Sequence, residues 1–165
     1  MQVTLETNKG PITIELDEAG APKTVENFLQ YVDAKHYDGT IFHRVIPGFM
    51  AQGGGYDAKY EKKAVRAPVE NEARADAKNV RGTVAMARTS DPHSATCQFF
   101  VNLVDNGFLD HTGKNDRGWG YTVFGRVVEG MDTVDKIVHS PTGSQGPFSK
   151  DAPLEPIVIT SAKRV

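Results

Sequence analysis

The chain reads as a mainly β protein: a closed eight-stranded antiparallel β-barrel capped by two α-helices. Three observations predict this. About eight short apolar runs have the alternation or the β-branched and aromatic content of strands. Only two segments have helical spacing, and the strands follow one another without helices between them. A parallel sheet needs a helical crossover between successive strands, so this order counts against it. Two helices also cannot cover both faces of a broad open sheet. Closing the sheet removes its edges and leaves two ends to cap.

Each element has a local reason. Gln2 to Thr7 alternates, with Val3, Leu5 and Thr7 on one side, and Pro11 to Leu16 alternates through Ile12, Ile14 and Leu16. The short Asn8-Lys9-Gly10 loop between them predicts a hairpin. From Ala21 to Val32, Val25, Phe28, Leu29 and Val32 fall at i, i+3, i+4 and i+7, with Pro22 suited to the first turn of a helix. Ile41 to Gly55 is apolar, β-branched and aromatic and is broken by Pro47-Gly48, as a strand pair would be. Residues 57–82 are charged, are interrupted by Pro68 and hold no period, so a long surface loop is expected. Thr83 to Arg88, Gln98 to Val104 and Tyr121 to Val128 are strand-like, separated by a polar turn and by a Gly- and Asp-rich loop. In the middle strand, Phe99, Val101 and Leu103 share one face and Gln98, Phe100 and Asn102 the other. A second helix follows Gly130 through Met131, Val134, Ile137 and Val138. Residues 140–156, rich in Pro, Gly and Ser, read as loop, and Ile157 to Ala162 as the closing strand. No repeat or composition shift divides the chain, so a single domain over 1–165 is expected.

Bulk properties narrow the function. The content is 39% hydrophobic and 24% charged, that of a soluble globular protein. A net charge of −2 gives no general attraction to nucleic acid or anionic membranes. No run approaches transmembrane length and no signal-peptide pattern opens the chain, so a cytoplasmic setting is expected. Cys97 is the only cysteine, which excludes an internal disulfide and the cysteine-rich metal signatures. The five histidines are scattered, with no i, i+4 pair, so no metal is expected. The glycine clusters at 53–55 and 118–120 lack the spacing of nucleotide-binding loops, and no G-x-S-x-G elbow is present. No cofactor is implied.

What remains is a polar set in an apolar setting: Arg44, Gln52 and Gln98 against Phe49, Met50, Phe100, Phe108, Leu109 and Tyr121. A guanidinium inside an apolar strand run is costly unless it has a task. Pro47 cannot donate to a ladder, so pairing should stop at Ile46. A three-residue connection, Pro47-Gly48-Phe49, then pairs Ile46 with Met50 and Arg44 with Gln52. Cation and amide would stand side by side on one face. An apolar floor with one cation and two amides, but no nucleophile, acid–base pair or metal, suits peptide binding or a reaction that breaks no covalent bond.

The motif Phe42-His43-Arg44-Val45-Ile46-Pro47-Gly48-Phe49-Met50-Ala51-Gln52-Gly53-Gly54 closely resembles the cyclophilin signature F-H-R-x-I-x-x-F-M-x-Q-G-G. The likeness continues through Gly82–Ala87, Ser94–Phe100 and Val123–Met131, and so spans nearly the whole chain. Loop lengths are most similar to those of the small cytosolic bacterial members. The resemblance implies the closed eight-stranded barrel with two capping helices, and peptidyl-prolyl cis-trans isomerisation of proline-containing peptides and unfolded or flexible proteins. It implies Arg44 as the central catalytic residue, with Gln52 holding the substrate carbonyl and helping to fix Arg44. Phe49, Met50, Phe100 and Leu109 would form the proline pocket. The backbone of Ala87 and Arg88 and the side chain of Gln98 would bind the residues before proline. Phe108 stands where tryptophan is common and Tyr121 where histidine is common; without the indole N–H, cyclosporin binding is expected to be weak. Arg88 replaces a frequent asparagine. Trp119 belongs to the loop, not to the pocket. A monomer is expected, and a non-catalytic proline-peptide binder or holdase chaperone is the competing reading.

Overall fold

The computed structural model describes residues 1–165. Strands β1 (Gln2–Thr7) and β2 (Gly10–Leu16) form an antiparallel hairpin with Val3 opposite Ile14 and Leu5 opposite Ile12. All four side chains are fully buried, so this face lines the interior. Helix α1 (Pro22–Asp33) buries the predicted Val25, Phe28, Leu29 and Val32, and Thr24, Asn27 and Tyr31 besides. Ala21 has no side chain to cap it. Glu72, from the long loop, does so instead: its carboxylate accepts from the backbone N–H of Lys23 (3.2 Å) and Thr24 (2.6 Å) and from the Thr24 hydroxyl (2.7 Å). A negative charge there also complements the positive end of the helix.

The remaining strands are β3 (Thr40–Ile41), β4 (Arg44–Ile46), β5 (Met50–Gly53), β6 (Thr83–Met86), β7 (Phe99–Asn102) and β8 (Val123–Glu129). After helix α2 (Met131–Val138) come β9 (Thr142–Gln145), β10 (Phe148–Pro153) and β11 (Val158–Arg164). The main sheet is antiparallel and curled, in the order β3-β11-β1-β2-β8-β6-β7-β5-β4. It has nine strands where eight were expected. The reason is local: β3 and β4 are one chain segment interrupted at Phe42-His43, pairing first with β11 and then with β5. At the break the Phe42 N–H bonds the Ile157 carbonyl, while the Ile41 carbonyl receives the Gly54 N–H. The curl therefore brings both edges of the sheet onto a single stretch of chain, which takes the place of one barrel strand.

A second correction concerns residues 140–156. They contain the hairpin β9–β10, not a plain loop. Its pairing is irregular between Phe148 and Ala152, and Asp151 has φ +62°, so no period-2 pattern survives in the sequence. Residues 57–82 form no strand, only isolated bridges.

Phe28 of α1 meets the rings of Tyr37, Phe99 and Phe124 at 5.1–5.9 Å between centroids. Val134, Ile137 and Val138 of α2 join the same core. Phe99 and Val101 of β7 face it as well, whereas Phe100 belongs to a separate small cluster with Met50, Ala85 and Leu109. The parity expected for that strand holds, and it gives the barrel an outer apolar floor. No helix is long and apolar enough to cross a membrane.

Candidate active site

The site is built on the β4–β5 hairpin. The Phe49 N–H bonds the Ile46 carbonyl at 3.1 Å, closing a turn with Pro47 followed by Gly48 at φ +73°, a conformation that glycine adopts without strain. The register that results pairs Ile46 with Met50, Val45 with Ala51 and Arg44 with Gln52, as expected from the proline. Cation and amide are brought to one face. β5 then pairs with β7, setting Gln52 opposite Phe100.

A cavity of about 150 Å³ opens beside this pair, lined by Arg44, Phe49, Met50, Gln52, Ala87, Arg88, Phe100, Leu109 and Tyr121. Met50, Phe100 and Leu109 are buried and form its floor, with the Tyr121 and Phe100 rings nearly perpendicular at 5.7 Å between centroids. Such a volume suits one side chain, well below the several hundred cubic ångströms of a drug-sized site. Arg44 is exposed at the rim and pairs with no carboxylate. Its Nη1 lies 3.5 Å from Gln52 Oε1, and its guanidinium carbon is 5.9 Å from the Phe49 ring. Gln52 in turn donates from Nε2 to Gln98 Oε1 at 3.0 Å. The chain Arg44–Gln52–Gln98 leaves most guanidinium donors free for a ligand.

Two expected residues lie outside this cavity. Gln98 lines a neighbouring depression of about 240 Å³ with Lys62, Thr89, Ser94 and Thr96, which shares Gln52, Ala87 and Arg88 with the first. Phe108 is 76% exposed, and its ring stands 5.6 Å from that of Phe49, at the rim. It falls on a short 3₁₀ turn, Gly107–Leu109, which directs Leu109 inward and leaves Phe108 in solvent.

Arg88 is more constrained than its sequence position suggests. Nε and Nη2 both donate to the Gly120 carbonyl (3.1 and 2.9 Å) and Nη1 to that of Thr89 (2.8 Å). Its guanidinium carbon sits 4.4 Å over the Tyr121 ring, so it braces that wall by a cation–π contact. The glycines after Gln52 also gain a purpose. A Cβ on Gly53 would fall 2.7 Å from the Ile41 carbonyl oxygen, and one on Gly55 2.5 Å from the Gln98 side chain. The first makes room for backbone; the second makes room for a residue lining the neighbouring depression.

Neighbouring titratable groups stand apart from the cavity. His43, next to Arg44, is buried between Tyr56 and Phe148, both 4.9 Å away between ring centroids, and its Nδ1 has no partner. Burial, aided by the adjacent Arg44 charge, pulls its pKa down to about 4. Cys97 is buried and its thiol is pushed up by desolvation, as suits a core residue. A larger depression of about 620 Å³ lies elsewhere, over Glu15, Asp17, Arg74, Asp76, Lys78 and Arg126. Its charges have both signs and Arg74 is paired within it, so nothing there converges on a ligand.

The polar supports beside the floor, among them Asn79 and Asn106, left no signal in the sequence. Only Asn102 left a trace, because it shares strand parity with Gln98 and Phe100.

Comparison with known proteins identifies the family. Residues 2–164 match the family model described as cyclophilin type peptidyl-prolyl cis-trans isomerase/CLD. The chain is 58% identical over 161 residues to peptidyl-prolyl cis-trans isomerase cyp18 of Streptomyces antibioticus, covering 98% of this chain and 96% of that one. It is 53% identical over 159 residues to peptidyl-prolyl cis-trans isomerase B of Escherichia coli K12, covering 96% of each. Among solved structures, a cyclophilin type peptidyl-prolyl cis-trans isomerase of Cryptosporidium parvum, crystallised in the presence of the dipeptide Ala-Pro, superposes with a TM-score of 0.78 at 26% identity. That match covers 98% of this chain and 97% of the other. By the family match over residues 2–164 and these relatives, the chain belongs to the cyclophilin family of peptidyl-prolyl cis-trans isomerases.

Proposed function

We propose that the 150 Å³ cavity receives the proline ring of a peptide and that Arg44 catalyses rotation about the preceding Xaa-Pro bond. The observation that carries this reading is an unpaired guanidinium held beside an amide at the rim of an apolar pocket. No cysteine, serine, histidine or carboxylate lines that pocket, which fits a reaction in which no covalent bond is made or broken.

The barrier to rotation is about 18–20 kcal/mol, because amide resonance must be lost. As the bond twists, the prolyl nitrogen becomes pyramidal and accepts a hydrogen bond. A guanidinium directed there stabilises the twisted state above either planar state, which is the condition for catalysis. A charge-assisted bond contributes about 1.5–3 kcal/mol. The apolar floor adds to this by disfavouring the charge-separated planar amide. Gln52 holds the substrate carbonyl and orients Arg44; Gln98 fixes Gln52. The N–H of Ala87 is already taken by the Gln98 carbonyl at 3.0 Å. The Ala87 carbonyl and the Arg88 N–H are therefore the backbone groups offered to residues before proline. The protein acts on flexible or unfolded chains, as a cytoplasmic monomer.

The test is exchange spectroscopy of a short Ala-Pro peptide with catalytic amounts of protein. Cis and trans signals should exchange far faster than in buffer. Unchanged exchange with tight peptide binding would establish the non-catalytic binder instead.

A further inference from the structure

Three asparagines lie beside the pocket floor, and all are buried: Asn79 is 1% exposed, Asn102 0% and Asn106 4%. Their side chains form a directed relay. Asn106 Nδ2 donates to Asn102 Oδ1 at 2.8 Å, and Asn102 Nδ2 donates to Asn79 Oδ1 at 3.1 Å. At one end Asn106 Nδ2 also donates to the Phe49 carbonyl at 3.0 Å. At the other, Asn79 Nδ2 donates to the Leu109 carbonyl at 3.2 Å and to Asp110 Oδ1 at 3.3 Å, and approaches the Tyr121 carbonyl at 3.5 Å. Phe49, Leu109 and Tyr121 are three walls of the proline cavity, and they come from three different parts of the chain.

Burying three amides is unfavourable unless each is bonded, and apolar residues would fill the same space at less cost. Here every donor is used, and both ends of the chain of amides reach wall backbone, the Asn79 end sharing its donors with the Asp110 carboxylate. Backbone bonds reinforce the same links: Leu103 N–H to the Phe49 carbonyl, Leu109 N–H to Asn106, and Tyr121 N–H to Leu109. From this we propose that Asn79, Asn102 and Asn106 are positioning residues, a buried amide relay that sets the spacing of the pocket walls around the prolyl ring. The proposal rests on the prolyl-binding reading of that cavity. None of the three lines the cavity, so they act through Phe49, Leu109 and Tyr121.

Asn102 is the informative position, because its side chain hydrogen-bonds only Asn79, Asn106 and the Thr83 hydroxyl, and none of these lines the cavity. Asn102→Leu is close in size and removes donor and acceptor together. With an Ala-Pro peptide, it should raise KM at least about fivefold and leave kcat within about twofold, since Arg44 and Gln52 are untouched. Adding Asn106→Ala should raise KM by less than it does in the wild type, because Asn106 then holds only the Phe49 carbonyl and no longer links it to Asn79. Backbone amide signals of Leu109 and Tyr121 should shift in the free protein, a readout independent of catalysis. If Asn102→Leu does not fold, Asn106→Ser, which releases the Phe49 carbonyl and Asn102 Oδ1 but keeps the Asn102–Asn79 bond, is measured in its place. Lowered thermal stability with unchanged KM and unshifted Leu109 and Tyr121 signals would overturn the relay. So would additive KM effects. An inactive wild type would instead count against the prolyl isomerase reading, while the amide shifts would still report on the relay.

Discussion

Gln52→Glu alters one atom of the site and tests how Arg44 is held. In the wild type a neutral amide oxygen lies 3.5 Å from Arg44 Nη1, and the amide nitrogen bonds Gln98. A carboxylate of the same shape would attract the guanidinium as a full ion pair. At 3.5 Å the Coulomb energy is about 5 kcal/mol at an effective dielectric constant of 20 and about 1 kcal/mol in water. Arg44 is exposed, so the lower figure applies, and surface pairs rarely exceed it. About 1 kcal/mol spent holding Arg44 against residue 52, and unavailable at the twisted amide, lowers kcat about fivefold. The lost bond to Gln98 adds an increase in KM. Peptide exchange measured at low salt and at 1 M salt separates the two: kcat should recover at high salt, where the Debye length is about 3 Å, and KM should not. A kcat equal to wild type, or a loss indifferent to salt, would refute the idea that Arg44 must be free to reach the substrate.

Other consequences follow from groups around the site. His43 titrates near 4 in the folded protein against about 6.5 when unfolded, so the unfolded chain binds more protons between those values and stability falls as pH drops through that window. Urea unfolding should show about 2 kcal/mol less stability at pH 5 than at pH 7, and His43→Phe should flatten the slope; His36, lowered in the same direction by burial, contributes a smaller share. Glu72→Ala removes the cap on α1 and leaves two backbone N–H groups and the Thr24 hydroxyl without that acceptor, which should cost about 1–2 kcal/mol in the same assay. Cys97 should react with a thiol reagent at least about tenfold more slowly than in the unfolded chain, because burial raises its pKa and blocks access.

The sequence made one hairpin readable almost to the atom, and the reason is physical. Pro47 ends the ladder and strand parity does the rest, so the Arg44–Gln52 pairing needs no tertiary information. The same parity separated Phe100 from Phe99 and placed it on the pocket floor. What stayed hidden depends on partners distant in sequence. The Glu72 cap reaches a helix that begins 50 residues earlier, and the asparagine relay joins positions 49, 79, 102, 106, 109 and 121. The split of one strand at Phe42-His43 and the irregular hairpin β9–β10 are likewise set by neighbours, not by any local period. Phe108 shows the limit of reading a short turn: adjacent residues of one 3₁₀ turn face opposite ways, and only Leu109 lines the cavity.

The central claim is that Arg44 stabilises the twisted prolyl bond and not simply the bound peptide. The direct measurement is kcat and peptide affinity of Arg44→Ala, taken from line shapes of an Ala-Pro peptide across a titration. The account predicts a loss in kcat of about 10- to 100-fold, the equivalent of one charge-assisted hydrogen bond, with affinity changed only slightly because the apolar floor is intact. An unchanged kcat with weakened binding would contradict it and make Arg44 a binding residue only.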